Sequence, residues 1–396
     1  MNNRRINNKI MKDINTKNVL NTIRRKGRIS RKDISIITGL TAGTITNIIG
    51  DLIENGYLVE IGNGDSEGGR KPIMLELNSS AGYAIGLELQ ATEIVCISSD
   101  FKANVIHCEY EKIDVKTGKD FIIERIISII ENVINKSGID REKILGVGLA
   151  VPGPCDYQNG IMVNPPNFPD WINVPIRSII SKRLSLDVYM SKETSCAVLA
   201  DYLFGEGSGM KKIFGIVLGP VGIGGAFILN GEVYQEKHRD TMDIGHTTVQ
   251  IDGFKCSCGN DGCLEVQANA AAAIRYAQTL MGNGRSSILK EPISFTDIAN
   301  GVLAKDSVSI EAIEICARYI SLALSNVLNL LSPDRICIYG ELVETCPYLF
   351  ERIVIEIERR EYPKIAKESQ KARLSFGEIS GAMGGLALVF DHLSKS

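Results

Sequence analysis

The 396-residue chain has no long apolar run, no low-complexity tract, no short-period repeat and almost no net charge. No stretch approaches the roughly 18–20 apolar residues of a membrane-spanning helix. The polar, basic N-terminus has no apolar segment of the kind a secretory signal needs, so a cytoplasmic location is expected. Hydrophobic residues at 44% and charged residues at 23% exclude wholesale disorder. Cysteine is not scarce, at ten residues, but seven of them are scattered through apolar stretches, where a free thiol is usually a small buried hydrophobe. A disulfide framework is therefore not expected, and free thiols suit a reducing compartment.

The small net charge of −3 conceals an asymmetry. Residues 1–50 hold eleven basic side chains (Arg4, Arg5, Lys9, Lys12, Lys17, Arg24, Arg25, Lys26, Arg28, Arg31, Lys32) and two acidic ones (Asp13, Asp33). That segment carries +9 and the remainder −12, which suggests a nucleic-acid-binding part on an acidic body.

Apolar spacing predicts three helices over residues 14–60. Ile14, Val19, Leu20 and Ile23 share one face, and Gly27 ends it. Ser30 caps a short second helix, with Asp33 as the capping-box acid. Thr41 opens a third, whose Ile45, Ile48, Ile49, Leu52 and Ile53 form a helical stripe. Strand-like pieces at 57–61 and 73–77 then flank a turn-rich segment, completing the pattern of a winged helix-turn-helix over 1–77. Phosphate attraction would come from its Lys and Arg side chains. Readout would come from the exposed start of the third helix, Thr41, Thr44, Thr46 and Asn47, with Arg70 and Lys71 on the wing. A protein-binding winged helix with a solvated basic face is the competing reading.

From residue 78 the texture is α/β. Strands are expected at 83–88, 94–98, 105–110, 144–151, 188–190, 214–218, 226–229 and 335–339, and helices at 120–136, 196–204 and 309–331. Two lobes with a boundary near 190 are expected over 78–396, with a C-terminal helix returning to the first.

The sharpest chemical signal is Cys256, Cys258 and Cys263, spaced by Gly259 and Gly262, with His246 ten residues upstream of Cys256. Three thiolates and an imidazole suit tetrahedral Zn²⁺ with no open position, hence a structural ion. A catalytic zinc and a chance group of buried thiols are the alternatives. A weaker signal is the glycine-rich run 219–225, which reads equally as a phosphate cradle or a tight hairpin.

The segment Asp243-Ile244-Gly245-His246, followed by the cysteine cluster and Leu264-Glu265, resembles the signature of the ROK family of repressors, open reading frames and sugar kinases. The wing Gly68-Gly69-Arg70-Lys71-Pro72, the run Val151-Pro152-Gly153-Pro154 and the run Pro166-Asn167-Phe168-Pro169-Asp170-Trp171 are similar to further family segments. The whole chain resembles family repressors of the xylose-repressor type. The resemblance implies a winged helix-turn-helix followed by a two-lobed actin/hexokinase-like (ribonuclease H-like) body around a sugar cleft. It places zinc ligands on His246, Cys256, Cys258 and Cys263, and sugar contacts on Asn167, Glu193, Asp243, His246 and Glu265.

Where family kinases carry Asp-x-Gly-Gly-Thr, this chain reads Glu88-Leu89-Gln90-Ala91-Thr92, and side chains on both former glycines block close approach to phosphate. The second phosphate loop reads Pro220-Val221-Gly222 in place of Gly-Thr-Gly, losing one N–H and one hydroxyl. The catalytic segment reads Lys192-Glu193-Thr194-Ser195, and the adenosine-site Gly-Gly reads Gly340-Glu341. In the pocket, Asp243 stands for a Glu and Lys192 for an Asn. The expectation is a sugar-responsive repressor of carbohydrate-utilisation genes, not an enzyme, binding operator DNA as a homodimer or homotetramer. The alternatives are an active ATP-dependent sugar kinase with an appended DNA-binding domain, and a DNA-bound protein that answers another protein instead of a sugar.

Overall fold

A computed structural model describes residues 2–64, 71–165, 168–234, 242–360, 369–373 and 379–393. Its contacts divide the chain into Met1–Ser208 with Glu378–Ser396, and Gly209–Gly377.

The first unit opens with α1 (Asn2–Lys26), β1 (Ile29–Ser30), α2 (Arg31–Thr38), α3 (Ala42–Glu54), β2 (Leu58–Asn63) and β3 (Ile73–Leu77). The expected caps form. The Ser30 hydroxyl accepts from the Asp33 amide and donates to its carboxylate, and the Thr41 hydroxyl accepts from the Thr44 amide. Such caps satisfy amides that the first helical turn leaves without partners. Val19, Ile23, Ile34, Ile45, Ile49, Leu58 and Leu75 are buried, which closes the winged-helix core. The hairpin gains a third strand, in the order β1-β3-β2, because Ile29 and Ser30 pair with Leu75 and Met74.

The rest of that unit comprises β4 (Tyr83–Leu89), β5 (Glu93–Ser99), β6 (Val105–Lys112), α4 (Lys119–Ser137), β7 (Ile144–Val151), the short pair β8 (Cys155–Asp156) and β9 (Ile161–Met162), α5 (Ile176–Leu184), β10 (Val188–Lys192) and α6 (Glu193–Phe204). The second unit has β11 (Lys212–Leu218), β12 (Ile223–Leu229), β13 (Glu232–Val233), α7 (Leu264–Ala268), α8 (Ala270–Gly282), α9 (Phe295–Leu303), α10 (Ser307–Leu331), β14 (Arg335–Tyr339), α11 (Glu341–Thr345), α12 (Pro347–Arg360) and β15 (Gln370–Arg373). The chain then returns to the first unit as α13 (Ser380–Leu393).

Each unit holds a five-stranded sheet with one topology. The orders are β6-β5-β4-β7-β10 and β13-β12-β11-β14-β15, antiparallel through the first three strands and parallel through the last two. The contact boundary falls at Ser208, not near 190. Helix α6 stays with the first unit because it packs on α13 without a side-chain cushion: a Cβ on Gly384 would lie 2.4 Å from the Cys196 carbonyl carbon. Glycine likewise permits α13 to rest on the sheet, since a Cβ on Gly148 would lie 1.9 Å from the Gly385 carbonyl oxygen.

Candidate functional site

In the second unit, Asp243-Ile244-Gly245-His246 forms a short 3₁₀ turn that leads to the cysteine cluster. An isolated bridge pairs Lys255 with Asp261, the Cys256 amide donates to Asn260 O at 2.8 Å, and the Gly259 amide donates to Cys256 O at 3.0 Å. The result is a tight knuckle. Gly262 is required there: its φ is +67°, and a Cβ would lie 1.6 Å from Gln250 O. Cys263 follows at the start of α7, which places Glu265 in that helix's first turn.

One ligand atom from each of His246, Cys256, Cys258 and Cys263 lies within 4.8 Å of the others. The Cys256 Sγ to His246 Nδ1 distance is 3.7 Å and Cys258 Sγ to Cys263 Sγ is 3.6 Å. A tetrahedral ion with metal–sulfur bonds of about 2.3 Å has sulfur–sulfur edges of about 3.8 Å. The donor set and spacing therefore fit a four-coordinate metal, and these residues can bind one. Nδ1 is the imidazole nitrogen facing the thiols, which leaves Nε2 for a second partner.

The glycine-rich run makes a hairpin loop between β11 and β12, closed by the Gly219 amide on Gly222 O at 3.0 Å. It is tied to the start of α8: Ala270 N donates to Pro220 O and Asn269 Nδ2 to Val221 O. Glu265 Oε2 accepts from the Ile223 amide at 3.2 Å. Of five consecutive residues, Pro220 has no N–H, and the amides of Gly219 and Ile223 are already bonded.

In the first unit, Glu193 occupies the first turn of α6. Burial raises its pKa, and the neighbouring Lys192 pulls it partly back. Beside it lies Glu88, a carboxyl inside an otherwise apolar strand, which in the sequence stands out only as a lost kinase position. Burial, then the charge of Glu193, pushes the Glu88 pKa up to about 8; Gln90 and the Gly381 amide bond to it, and Glu93 adds further repulsion. The Cys196 thiol also feels its charge. Between about pH 4.5, where an ordinary Glu ionises, and about 8, unfolding releases the Glu88 proton. Stability thus falls as pH rises through this window and levels off above it. Glu88→Gln is expected to melt several degrees above wild type beyond pH 8, with the gap closing toward pH 5; equal melting curves at both ends would remove the buried carboxyl.

Asn167 and Arg70 lie outside the described residues. Phe168 and Trp171 are fully buried, with their rings edge-to-face at 5.4 Å, so this part of the Asn-Phe-Pro-Asp-Trp run plugs the core. Lys71 is exposed beside the wing. On α3 the Thr41 hydroxyl serves as the cap, Thr44 Oγ1 lies 2.9 Å from it, and Thr46 Oγ1 donates to Ala42 O. Asn47 is exposed on the same helix.

The chain matches the ROK family over residues 84–392 and a winged helix-turn-helix DNA-binding family over 12–59. It belongs to the ROK family. Among its relatives are the xylose repressor of Bacillus spizizenii, 28% identical over 96% of either chain, and that of Caldicellulosiruptor bescii, 30% identical over 85% of this chain and 86% of that one. The DNA-binding transcriptional repressor Mlc of Escherichia coli is 25% identical over 97% and 94%. A solved ROK family transcriptional regulator, described as a homologue of the E. coli MLC protein, superposes with a TM-score of 0.80 at 23% identity over 97% of each chain. A ROK family glucokinase from Streptomyces griseus, solved with glucose and AMPPNP, gives 0.66 at 22% over 78% of this chain and 99% of that one. The ROK body thus has the actin/hexokinase-like fold, with the winged helix in front of it. Among the described residues no single helix is long and apolar enough to cross a membrane.

Proposed function

We propose that this ROK protein is a sugar-responsive DNA-binding repressor of carbohydrate-utilisation genes. The observation that carries the reading is a capped recognition helix, α3, in a winged unit of the same chain as a full ROK body. Its relatives of matching length are named repressors, and xylose is the first effector to test. In this reading Asn167, Glu193, Asp243, His246 and Glu265 are the sugar-recognition residues. Carboxylates and amides suit vicinal hydroxyls, and a missing partner in a buried pocket is costly. His246, Cys256, Cys258 and Cys263 hold a structural zinc, whose chemistry here is to fix the knuckle. With Nδ1 committed to the cluster, His246 Nε2 is left to face a hydroxyl. The run 219–223 supports loss of kinase activity, because three of its five potential phosphate donors are missing or used. A palindromic operator, with half-sites a helical turn apart or a multiple of it, calls for a homodimer or homotetramer in the cytoplasm.

The test is a titration of the duplex upstream of its own reading frame at low salt. Binding released or strengthened by D-xylose, D-glucose or N-acetylglucosamine supports the reading, and no binding in any condition ends it. ADP release with ATP and the same sugars is expected to stay at background. Asn47→Ala is expected to weaken the specific complex about tenfold, the scale of one bidentate amide–adenine contact, without changing binding to random DNA. An equal loss on both duplexes would place Asn47 on the phosphates instead.

A further inference from the structure

Helices α6 and α13 lie against one another, and both begin at the half-buried carboxyl pair Glu88 and Glu193. Glu193 is the first residue of α6. At the start of α13 the Gly381 amide bonds to Glu88, and a Cβ there would lie 2.0 Å from the Glu88 carboxyl carbon. Helix α13 is seated backbone on backbone, at Gly384 against Cys196 of α6 and at Ala382 and Gly385 against Gly86 of β4 and Gly148 of β7. Such a seating leaves little room for side chains to absorb a displacement.

The C-terminal ends of the same two helices meet the DNA-binding unit. Phe204 of α6 and Phe390 of α13 pack edge-to-face at 5.9 Å. Phe390 also meets Phe101 at 5.9 Å, and Phe101 stacks on Tyr57, the residue that leads into the wing, at 5.3 Å. Into this group α1 inserts Arg24. Its guanidinium lies 4.5 Å from the Phe390 ring centre and 5.7 Å from that of Phe101, and it donates to Phe101 O. Burial lowers its pKa to about 10, against the opposing pull of Asp100. Two turns earlier on the same face, Lys17 pairs with Asp391 of α13. The opposite face of α1 places Val19 and Ile23 in the winged-helix core, which also takes the buried side of α3.

We propose that Arg24 is the positioning residue through which the state of the carboxyl end of α6 and α13 reaches the recognition helix. The helix pair is a strut about 20 Å long, at 1.5 Å per residue. Glu88 and Glu193 sit at one end, and Arg24 is gripped at the other. The proposal rests on the repressor reading, in which Glu193 faces the effector. An effector that alters the seat of Glu193 tilts the strut, and Arg24 carries the tilt into α1 and so to α3.

Sites this far apart that share no partners normally contribute additively. The test is therefore a double-mutant cycle on the full chain: wild type, Glu193→Ala, Arg24→Leu and both, with two readouts. One is affinity for the duplex upstream of its own reading frame. The other is amide hydrogen exchange over residues 13–26. Glu193→Ala is expected to shift DNA affinity at least fivefold and to change exchange in α1 when Arg24 is present, and to shift affinity less than twofold, with no change in exchange, when it is not. Equal shifts in both backgrounds overturn the proposal, and so does the absence of any effect of Glu193→Ala on either readout. If wild type binds no DNA, the repressor reading fails, and the exchange cycle alone decides whether Arg24 couples the two ends. Should Arg24→Leu not fold, Phe390→Leu removes the nearer ring and serves in its place.

Discussion

Replacement of Cys263 by serine is expected to strip the metal from the chain and abolish sugar binding while leaving the upstream duplex bound. Cys263 is fully buried, its Sγ lies 3.6 Å from that of Cys258, and it is the residue from which α7 starts. A serine hydroxyl is a hard, protonated donor and does not replace a thiolate in a soft tetrahedral set. The binding free energy of a structural zinc is folding free energy, about 10–16 kcal/mol in zinc-finger peptides. Loss of even a fraction of that frees the knuckle that places His246 and Glu265. Metal analysis should show zinc in the wild type and none in the variant. Calorimetry should show no sugar heat, and affinity for the duplex should be the same at every sugar concentration. Full zinc content in the variant would take Cys263 out of the ligand set.

Gly148→Ala is the second large effect. The added methyl would sit 1.9 Å from Gly385 O and 2.6 Å from its carbonyl carbon. Both obstructing atoms are backbone, so no rotamer change makes room; α13 must lift from the sheet or the variant must unfold. Overpacking a core that yields costs about 1–3 kcal/mol, and a seat made of two backbones should exceed that, with a loss of at least about 3 kcal/mol. Denaturant unfolding of the soluble fraction measures it. A variant within about 1 kcal/mol of wild type would show that α13 does not rest on β7. Because α13 is also half of the strut, any folded Gly148→Ala protein should answer sugar poorly on DNA.

The sequence was most legible where the cause of structure is local. Ser30 with Asp33, the stripe from Ile45 to Ile53, the continuous apolar strand from Ile144 to Val151 and the spacing of Cys256, Cys258 and Cys263 each act within a few residues, and each forms as expected. The first turn of α6 was missed because Glu193, Thr194 and Ser195 are polar, yet Thr194 and Ser195 are buried and Glu193 half-buried, so tertiary packing overrides their appearance. The glycines of α13 were silent for another reason. What makes Gly384 and Gly385 necessary is the backbone of Cys196 and Gly148, about two hundred residues away. Glu88 was visible as an acid within an apolar strand, yet only the fold sets it beside Glu193 and the Gly381 amide.

The first unit is discontinuous in sequence, with its last helix separated from the rest by the whole of Gly209–Gly377. Synthesis at roughly 5–20 residues per second puts about 10–40 seconds between the emergence of α6 and that of α13. During that interval the winged helix is already complete, but Arg24 has no Phe390 to grip and Lys17 no Asp391. A nascent or prematurely ended chain therefore carries a DNA-binding head with no link to the carboxyl end of the strut. If Arg24 carries the signal, coupling must wait for α13, and a chain broken off before it would hold DNA without hearing the sugar.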